Sequence, residues 1–457
     1  MTTALRRPHR SATDSHDGLR LDLLVAGSAA GLVAAAALVG LWLLDRGVPL
    51  HVAAPPLLAQ WLPHVGPGTV PAVLVAVLVT LWGPQLAGRL SWRPLLAASY
   101  LTALAWTLSL ALVDGWQRGI AGRLTTGTEY LRDVPAVTDV PAMLATFTER
   151  ILSFQPHTWS SPHVAGHPPG ALLVFVGLDR VGLSGGAPAA LLCVLIGASA
   201  CVAVAVALRA LGAEPLARAA LPFGVLLPGA VWVGVSADGL FAGVLAWGVA
   251  LVAVGAARPR LDGPATVAAV TGGLLLGASL YLSYGLALAA LLPLAVLGCT
   301  RRPVPLLVAG GGVAAVVAAF TTAGFWWLDG YQKVTIRYYQ PGEWGLDRPY
   351  SYWVWANLAA LTVALGPATV AGLRRAAAGW HRPALRPLVL LCGAALLAVL
   401  LADLSGLSKA EVERIWLPFA VWLVAAAGLL PARHQRWWLA AQALVALAVN
   451  HLLLTGW

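Results

Sequence analysis

Apolar runs close to the length of a bilayer crossing recur from residue 22 almost to the end of this chain, separated by short polar breaks. A crossing takes about 20 apolar residues in helical form. Lipid offers no partner for backbone N–H and C=O groups, so a spanning segment must satisfy them internally, as a helix or a closed barrel does. About thirteen such runs can be laid out, at 22–44, 69–87, 93–113, 187–208, 219–235, 239–257, 265–281, 284–298, 304–327, 352–373, 387–403, 413–430 and 436–454. Composition agrees: 11% of residues are charged and 59% hydrophobic, against about 25% charged in soluble domains. The expected fold is an all-α polytopic integral membrane protein, with a basic tail at 1–21 and one transmembrane domain over 22–457. The run 22–44 is read as a span and not a removed leader, because no small-residue cleavage site stands before Asp45.

Charge orients the spans. With the amino terminus (Arg6, Arg7, Arg10, Arg20) on the cytoplasmic side, the alternate loops carrying Arg89/Arg93, Arg209/Arg218, Arg258/Arg260, Arg301/Arg302, Arg374/Arg375/Arg382/Arg386 and Arg433/Arg436 also fall inside. That puts 18 basic and 5 acidic residues inside, against 11 basic and 14 acidic outside, as the positive-inside rule requires. The net charge of +10 thus follows membrane side and does not point to nucleic acid. The four cysteines, Cys193, Cys201, Cys299 and Cys392, have no CxxC spacing and lie in or beside apolar runs, as small buried residues do. Of the 29 basic residues 27 are arginine, a bias suggestive of a GC-rich bacterial genome and a bacterial plasma membrane.

The parity holds only if the apolar piece Pro169 to Leu183 does not cross. At about 15 residues it is short for a span and suits a re-entrant segment. Residues 114–186 then form one large external element, and 328–351 a second. Inside the first, DVPAMLATFTERILSF from Asp139 to Phe154 places Val140, Met143, Leu144, Phe147, Ile151 and Phe154 on one helical face, with Asp139 as N-cap. The second, LDGYQKVTIRYYQPGEWGLDRPYSY, is aromatic and polar, and a third begins DLSGLSKAEVERIW at Asp403.

A few charged residues stand out by location. Asp114 closes the third span in LALVDGW, and Asp238 sits in VSADGLF between two apolar runs; a carboxylate at the edge of hydrocarbon is expensive unless paired or used. The plainer roles are a helix cap or salt bridge for each. Lys333, Arg337, Arg348, Lys409 and Arg414 lie outside against the charge bias, and arginine suits bidentate contact with phosphate. With Tyr338, Tyr339, Trp344, Tyr350 and Trp353 they would suit an anionic headgroup beside a flat sugar or isoprenoid surface, or simply form an aromatic belt with snorkelling arginines. Glu411 and Arg414 share a helical face and could be a purely structural pair. His163 and His167, in HVAGHPPGALLVF, are spaced for a metal only on a helix, and Pro168–Pro169 pushes His167 toward extended geometry. No P-loop, GxSxG, GxGxxG or HExxH is present, which argues against a nucleotide-driven pump or a hydrolase of familiar type.

Three of these stretches together resemble the GT-C superfamily of membrane glycosyltransferases, which includes protein O-mannosyltransferases and lipid A aminoarabinose transferases. GHPPGALL is similar to their (H/K/Y)PPL element, VSADGLF to the acid-bearing second external loop, and SKAEVERIWLPF to an E-x-x-R turn before a late span. The likeness covers roughly residues 93–430 and suggests an actinobacterial-like branch. It departs in two ways: two spans precede the one carrying Asp114, making Asp45 a rival acid, and Asp114 is followed by Gly115 and Trp116, not a second acid.

The resemblance implies an inverting transfer of sugar from a polyprenyl-phosphate carrier to a cell-envelope acceptor hydroxyl on a glycan, lipid or protein, at the extracytoplasmic face. It implies Asp114 as base, Arg414 and Arg337 as phosphate contacts, and Asp238 with His167 as positioning groups in the catalytic set or ligands for an optional divalent ion. His163, Arg348, Lys409 and Glu411 complete the expected substrate-binding set. No cofactor is required, a divalent cation is optional, and membrane lipids are the surrounding partners. A transporter or lipid flippase, or an envelope polysaccharide polymerase of another fold, are the competing classes; a transporter would place ionisable residues at mid-membrane and show internal repeats. The re-entrant reading has a direct check. In a chain otherwise free of cysteine, Arg180→Cys should react with an impermeant thiol reagent from outside the cell; reaction from the cytoplasm alone would overturn it.

Overall fold

The computed structural model describes residues 12–456; Arg6, Arg7 and Arg10 lie outside the described residues, as do the side chains of residues 12–17 and of Trp344. The chain is almost wholly helical. α1 (Ala12–Asp45) leads through β1 (Ala59–Trp61) to α2 (Thr69–Arg89) and α3 (Trp92–Val113). Short pieces follow: α4 (Val140–Thr146), α5 (Pro162–Gly166) and α6 (Pro169–Arg180). The bundle resumes with α7 (Gly186–Ala198), α8 (Ala200–Ala210), α9 (Glu214–Val225), α10 (Ala230–Val233), α11 (Ala237–Ala257) and α12 (Gly263–Leu282). Then come α13 (Leu291–Thr300), α14 (Pro303–Thr322), α15 (Trp327–Tyr338), α16 (Trp344–Asp347), α17 (Tyr350–Leu365), α18 (Pro367–Ala378) and α19 (Arg386–Leu404). The last elements are α20 (Val412–Ile415), α21 (Leu417–Leu423), α22 (Gln435–Leu452) and β2 (Leu453–Thr455).

Eight helices among the described residues are long and apolar enough to cross a membrane. They coincide with expected runs, α7 and α8 together making one of them. Two further pairs are sharply bent: α17 against α18 by 105°, at Gly366-Pro367, and the helices on either side of Pro431 by 109°. Proline cannot continue the hydrogen-bond ladder, which locates both bends. The expected runs 219–235 and 284–298 are made of shorter pieces. The first breaks between α9 and α10 around Pro228, and the second begins with a tight turn at Tyr284–Ala290 ahead of α13.

α11 is the central helix, packed by α7, α8 and α12 and buried over most of its length. Small residues make this approach possible, as in many membrane interfaces. A Cβ on Gly243 would sit 2.2 Å from the carbonyl of Ile196, and one on Gly273 of α12 would sit 2.0 Å from that of Ala309 on α14.

The region 114–186 folds as turns and short helices. Asp139 caps α4, accepting from the Ala142 N–H at 3.1 Å as the sequence predicts. The expected single apolar face to Phe154 does not persist: α4 ends at Thr146 and a tighter turn follows through Arg150. Phe147 and Ile151 are buried against protein, with Phe147 packed on Trp159 and Phe325, while Phe154 is 80% exposed. The aromatic contacts outweigh the regular helical period. α6 is 12 residues, about 18 Å at 1.5 Å per residue, too short to cross.

α1 is long and mostly uncovered, and one ion cluster holds its start. Asp22 is fully buried, with one carboxylate oxygen accepting from Arg374 at 2.6 Å and the other from Arg375 at 2.5 Å. Both arginines come from α18, so removing the acid leaves two facing cations. Asp22→Asn is expected to lower stability by roughly 1–3 kcal/mol, less than for a fully buried triad because the arginines keep water contact. The thermal midpoint of purified protein in detergent measures this, with Asp45→Asn, at the exposed end of α1, as the unaffected comparison.

Candidate functional site

Asp114 occupies the C-cap position of α3, where the helix dipole is unfavourable to an acid. Two cationic side chains offset this: His64 Nε2, when protonated, and Arg118 Nη2 each lie 3.0 Å from its Oδ1. His64 arrives there because the loop before α2 lies directly on the end of α3. A Cβ on Gly66 would fall 2.0 Å from the Val113 carbonyl, and one on Gly68 would fall 1.9 Å from that of Ser109. Neither glycine has room for a side chain. Beyond the loop, β1 pairs antiparallel with β2, Ala59 opposite Thr455, and Arg123 Nη2 donates to both the carbonyl and the hydroxyl of Thr455 at 3.0 Å. Arg123 is half-buried. Burial lowers its pKa to about 10, against the attraction of Asp114 and Glu129.

Glu129 was not singled out from the sequence. It is 5% exposed and lies 3.4 Å from His163 Nδ1. Burial raises its pKa, but His163, Arg414 and Arg123 outweigh burial and hold the carboxyl below the ordinary range. Its position follows from Asp133, whose carboxylate accepts from the N–H groups of Ser160 and Ser161 at 3.2 and 2.8 Å. Ser161 in turn caps α5, accepting from the N–H groups of His163 and Val164, and donates to the Thr128 carbonyl at 2.5 Å. These bonds draw the segment carrying Glu129 onto the segment carrying both histidines.

His167 has extended backbone (φ −124°, ψ 158°), the geometry expected before the proline pair. Its Nδ1 donates to the His163 carbonyl at 2.9 Å, leaving Nε2 as the acceptor in the neutral ring. Burial pushes its pKa down to about 4 despite Asp238, so the ring is neutral at physiological pH. Tyr130 lies between the two imidazoles, 5.9 and 5.7 Å from their centroids, and stacks on Phe175 of α6. The HPPG glycine has a steric reason: a Cβ on Gly170 would fall 2.5 Å from the Tyr281 carbonyl of α12.

Arg414 lies at the centre. It donates through Nη1 to Asp238 at 2.5 Å and through Nη2 to Glu411 at 3.2 Å, and is 4% exposed. Burial works against its charge, but Asp238, Glu411 and Glu129 outweigh it and raise the pKa. Asp238 is not the N-cap of α11. Ser236 holds that place, accepting from the Gly239 N–H, which leaves the Asp238 carboxylate to the ion pair. Ala410 and Glu411 both have left-handed backbone (φ 68° and 65°), uncommon for residues with a Cβ. The turn aims Glu411 at two arginines: its other oxygen accepts from Arg348 at 3.1 Å. Arg348 also donates to the carbonyls of Leu50 and Lys409, and Lys409 Nζ donates to the carbonyl of Gly345 at 2.7 Å.

The predicted residues Asp238, Glu411, Arg414, Arg348 and Lys409 are therefore joined in one bonded network. His163 and His167 adjoin it through Glu129 and Asp238, and Asp114 through Arg123. Arg337 is bonded elsewhere, to the Ile151 carbonyl at 2.6 Å and Glu343 at 3.1 Å, where it ties the second loop to the first. Four carboxylates (Asp114, Glu129, Asp238, Glu411) thus face four guanidinium groups (Arg118, Arg123, Arg348, Arg414). No group of three or more His, Cys, Asp or Glu side chains gathers at metal-binding distance among the described residues.

With this geometry in place, the fold can be compared with known proteins. No family model and no curated protein matches the chain. Among solved structures, the apo oligosaccharyltransferase of Archaeoglobus fulgidus is similar over 78% of this chain and 56% of its own, with 12% identity and a TM-score of 0.50. The same enzyme tethered to an acceptor peptide matches with 11% identity over 78% of this chain and 53% of its own, at a TM-score of 0.47. The first comparison establishes the fold as GT-C-like. The chain spans about half the length of those enzymes.

One carboxyl lies outside the balanced set. Glu413 is 1% exposed and its Oε1 accepts from the Leu58 N–H at 2.9 Å, while Oε2 has no hydrogen-bond partner among the described residues. Burial pushes its pKa up to about 7, above the ordinary value of about 4.3. Between those values the folded chain holds a proton that the unfolded chain has lost, so this group's favourable contribution is complete below the lower value and disappears as pH rises through the upper one. Glu413→Gln, which keeps the acceptor for Leu58, should flatten the fall in thermal midpoint between about pH 4 and about pH 7 and stabilise the protein above that range. An unchanged profile would place the titration on another group.

Proposed function

We propose that this chain is a GT-C type glycosyltransferase that moves a sugar from a polyprenyl-phosphate carrier to a hydroxyl of a cell-envelope acceptor. The carrying observation is the Arg414 centre: a buried guanidinium between Asp238 and Glu411, electrostatically coupled to Glu129, in a fold similar to an oligosaccharyltransferase. The activity of that relative supports the reading by analogy of fold. The arginine distribution supports a site on the extracytoplasmic face of a bacterial plasma membrane with the amino terminus inside, and the amino-acid bias supports an actinobacterial-like branch.

The proposed step balances simply. The acceptor oxygen forms a bond to the anomeric carbon from the side opposite phosphate, its proton passes to Asp114, and the carbon–oxygen bond to phosphate breaks with its electron pair leaving on polyprenyl phosphate. Asp114 suits the role of base because its side chain is only about 10% exposed and is held in place by His64 and Arg118, each 3.0 Å from its Oδ1. The leaving phosphate requires positive charge. Arg414 fits this requirement, and the exposed Arg118 fits it better than Arg337, whose guanidinium is occupied by the loop contacts above. Neutral His167 and the tyrosine beside it suit orientation of a sugar hydroxyl. Asp238 and His167, the side chains expected to hold an optional divalent cation, are not part of any metal-binding group among the described residues. The transporter reading is disfavoured because the site's charges cluster at helix ends and loops, not within helix middles.

Purified protein offered a panel of radiolabelled polyprenyl-phosphate sugars tests this. Asp114→Asn should lower turnover by roughly 10²–10⁴-fold, Asp45→Asn should retain it, and Glu129→Gln should impair it mainly through substrate binding. Full activity in Asp114→Asn would reassign the base. Consumption of no donor, with labelled lipid instead crossing the bilayer of sealed vesicles, would replace the transferase with a flippase.

A further inference from the structure

At the end of α2 away from His64 and Asp114, helices α2, α3 and α9 enclose an apolar crevice of about 630 Å³. Its walls include Leu78, Trp82 and Leu86 of α2, Leu95 and Leu101 of α3, and Pro222 of α9. The size falls within the range of about 300–1,000 Å³ usual for small-molecule sites. None of the residues lining it is an acid, a histidine or a cysteine, so it carries no machinery for the transfer chemistry. What distinguishes it from the ordinary apolar surface of a spanning helix is its rim.

Arg89 lines the mouth, with Arg93 four positions on across the turn. Both are exposed, and neither side chain makes a hydrogen bond or ion pair among the described residues. Behind them, Arg218 Nη1 donates to the carbonyls of Ala87 and Leu90 at 2.9 Å each, fixing the end of α2. Arg218 and Arg209 also flank the Trp92 ring, 5.6 and 4.5 Å from its centroid, and share the single carboxylate Glu214 at 2.8 Å each. Four guanidinium groups and one carboxylate leave the mouth strongly cationic. Two of the four have no internal partner.

We propose that this crevice binds an anionic diacyl phospholipid of the surrounding membrane, with acyl chain in the crevice and the phosphate on Arg89 and Arg93. The mostly apolar walls, with Gln85, Ser99 and Thr102 the uncharged polar residues among them, take the chain, and the arginines take the headgroup at the level where Arg side chains reach membrane surfaces. An electrically neutral headgroup would leave the unpaired guanidinium groups without a counter-charge. The site is distinct from the Asp114–Arg414 centre, at the other end of α2, and does not depend on the transferase reading.

Native mass spectrometry of the full chain in detergent tests it, by titration with dioleoyl phosphatidylglycerol or dioleoyl phosphatidylcholine. The expected result is one phosphatidylglycerol adduct, bound on the order of tenfold more tightly than phosphatidylcholine, the scale of two arginines beside an anionic surface. Arg89→Gln with Arg93→Gln should remove that preference, and Thr102→Trp, placed in the crevice wall, should weaken both lipids. Arg258→Gln with Arg260→Gln, at another arginine-rich turn, should leave the preference intact. The proposal is overturned by equal binding of the two lipids, by a preference that survives loss of Arg89 and Arg93, or by one lost with Arg258 and Arg260. It is overturned equally if polyprenyl phosphate displaces phosphatidylglycerol from this site at lower concentration.

Discussion

The ion pair between Arg414 and Asp238 is the constraint on which the polar end of the molecule depends. Taking a guanidinium and a carboxylate out of water is unfavourable by several kcal/mol per ion unless every charge finds a partner. Asp238 comes from α11, Arg414 and Glu411 from the turn at α20, and Arg348 from the segment before α17. None of these elements can shift alone without stranding a buried charge. The cluster therefore fixes the loops relative to the central helix with a precision that apolar packing by itself would not impose. It also explains the strained turn at Ala410 and Glu411: left-handed backbone is unfavourable, and here it delivers one carboxylate to two arginines.

The same logic separates Glu413 from its neighbours. Glu411 and Glu413 are two residues apart, and both are buried. Glu411 meets Arg348 and Arg414, which outweigh burial and hold its carboxyl below the ordinary range. Glu413 meets a backbone N–H and no cation in bonding contact, and its affinity for a proton rises. A difference of two positions thus decides whether a carboxylate is an ionic anchor or a titratable group near neutrality.

Much of the scaffold was legible in the sequence because hydrophobicity over 20 residues is a strong and local signal. Eight spans fall where apolar runs predict them, and the kinks at Gly366-Pro367 and Pro431 have visible punctuation. The residues at helix ends, Asp114 and Asp238, were legible for the same reason: an acid contrasts with its apolar flank. Asp22 was not, since its partners Arg374 and Arg375 lie 352 and 353 positions away. Glu129 and Arg123 were missed because they sit in a polar stretch where nothing distinguishes one charge from another, and His64 because a lone histidine in a Pro/Gly loop gives no sign of its partner. Glu129 is drawn in by Asp133 and Ser161, and His64 is admitted by two glycines that let its loop lie directly on α3. A turn glycine pair in HVGPGT could have signalled a close approach, but not to which helix. Arg337 shows the converse error of the same kind, an external arginine whose partner turned out to be the protein's own loop.

The pairing of β1 with β2 carries a consequence for assembly. Arg123, electrostatically coupled to both Asp114 and Glu129, donates its hydrogen bonds to Thr455, 332 positions later in the chain. Until Thr455 is in place that guanidinium lacks these two acceptors, and β1 lacks its partner strand. The charged centre can thus be threaded into the membrane before β2 exists, yet it takes its final geometry only when that strand pairs with β1.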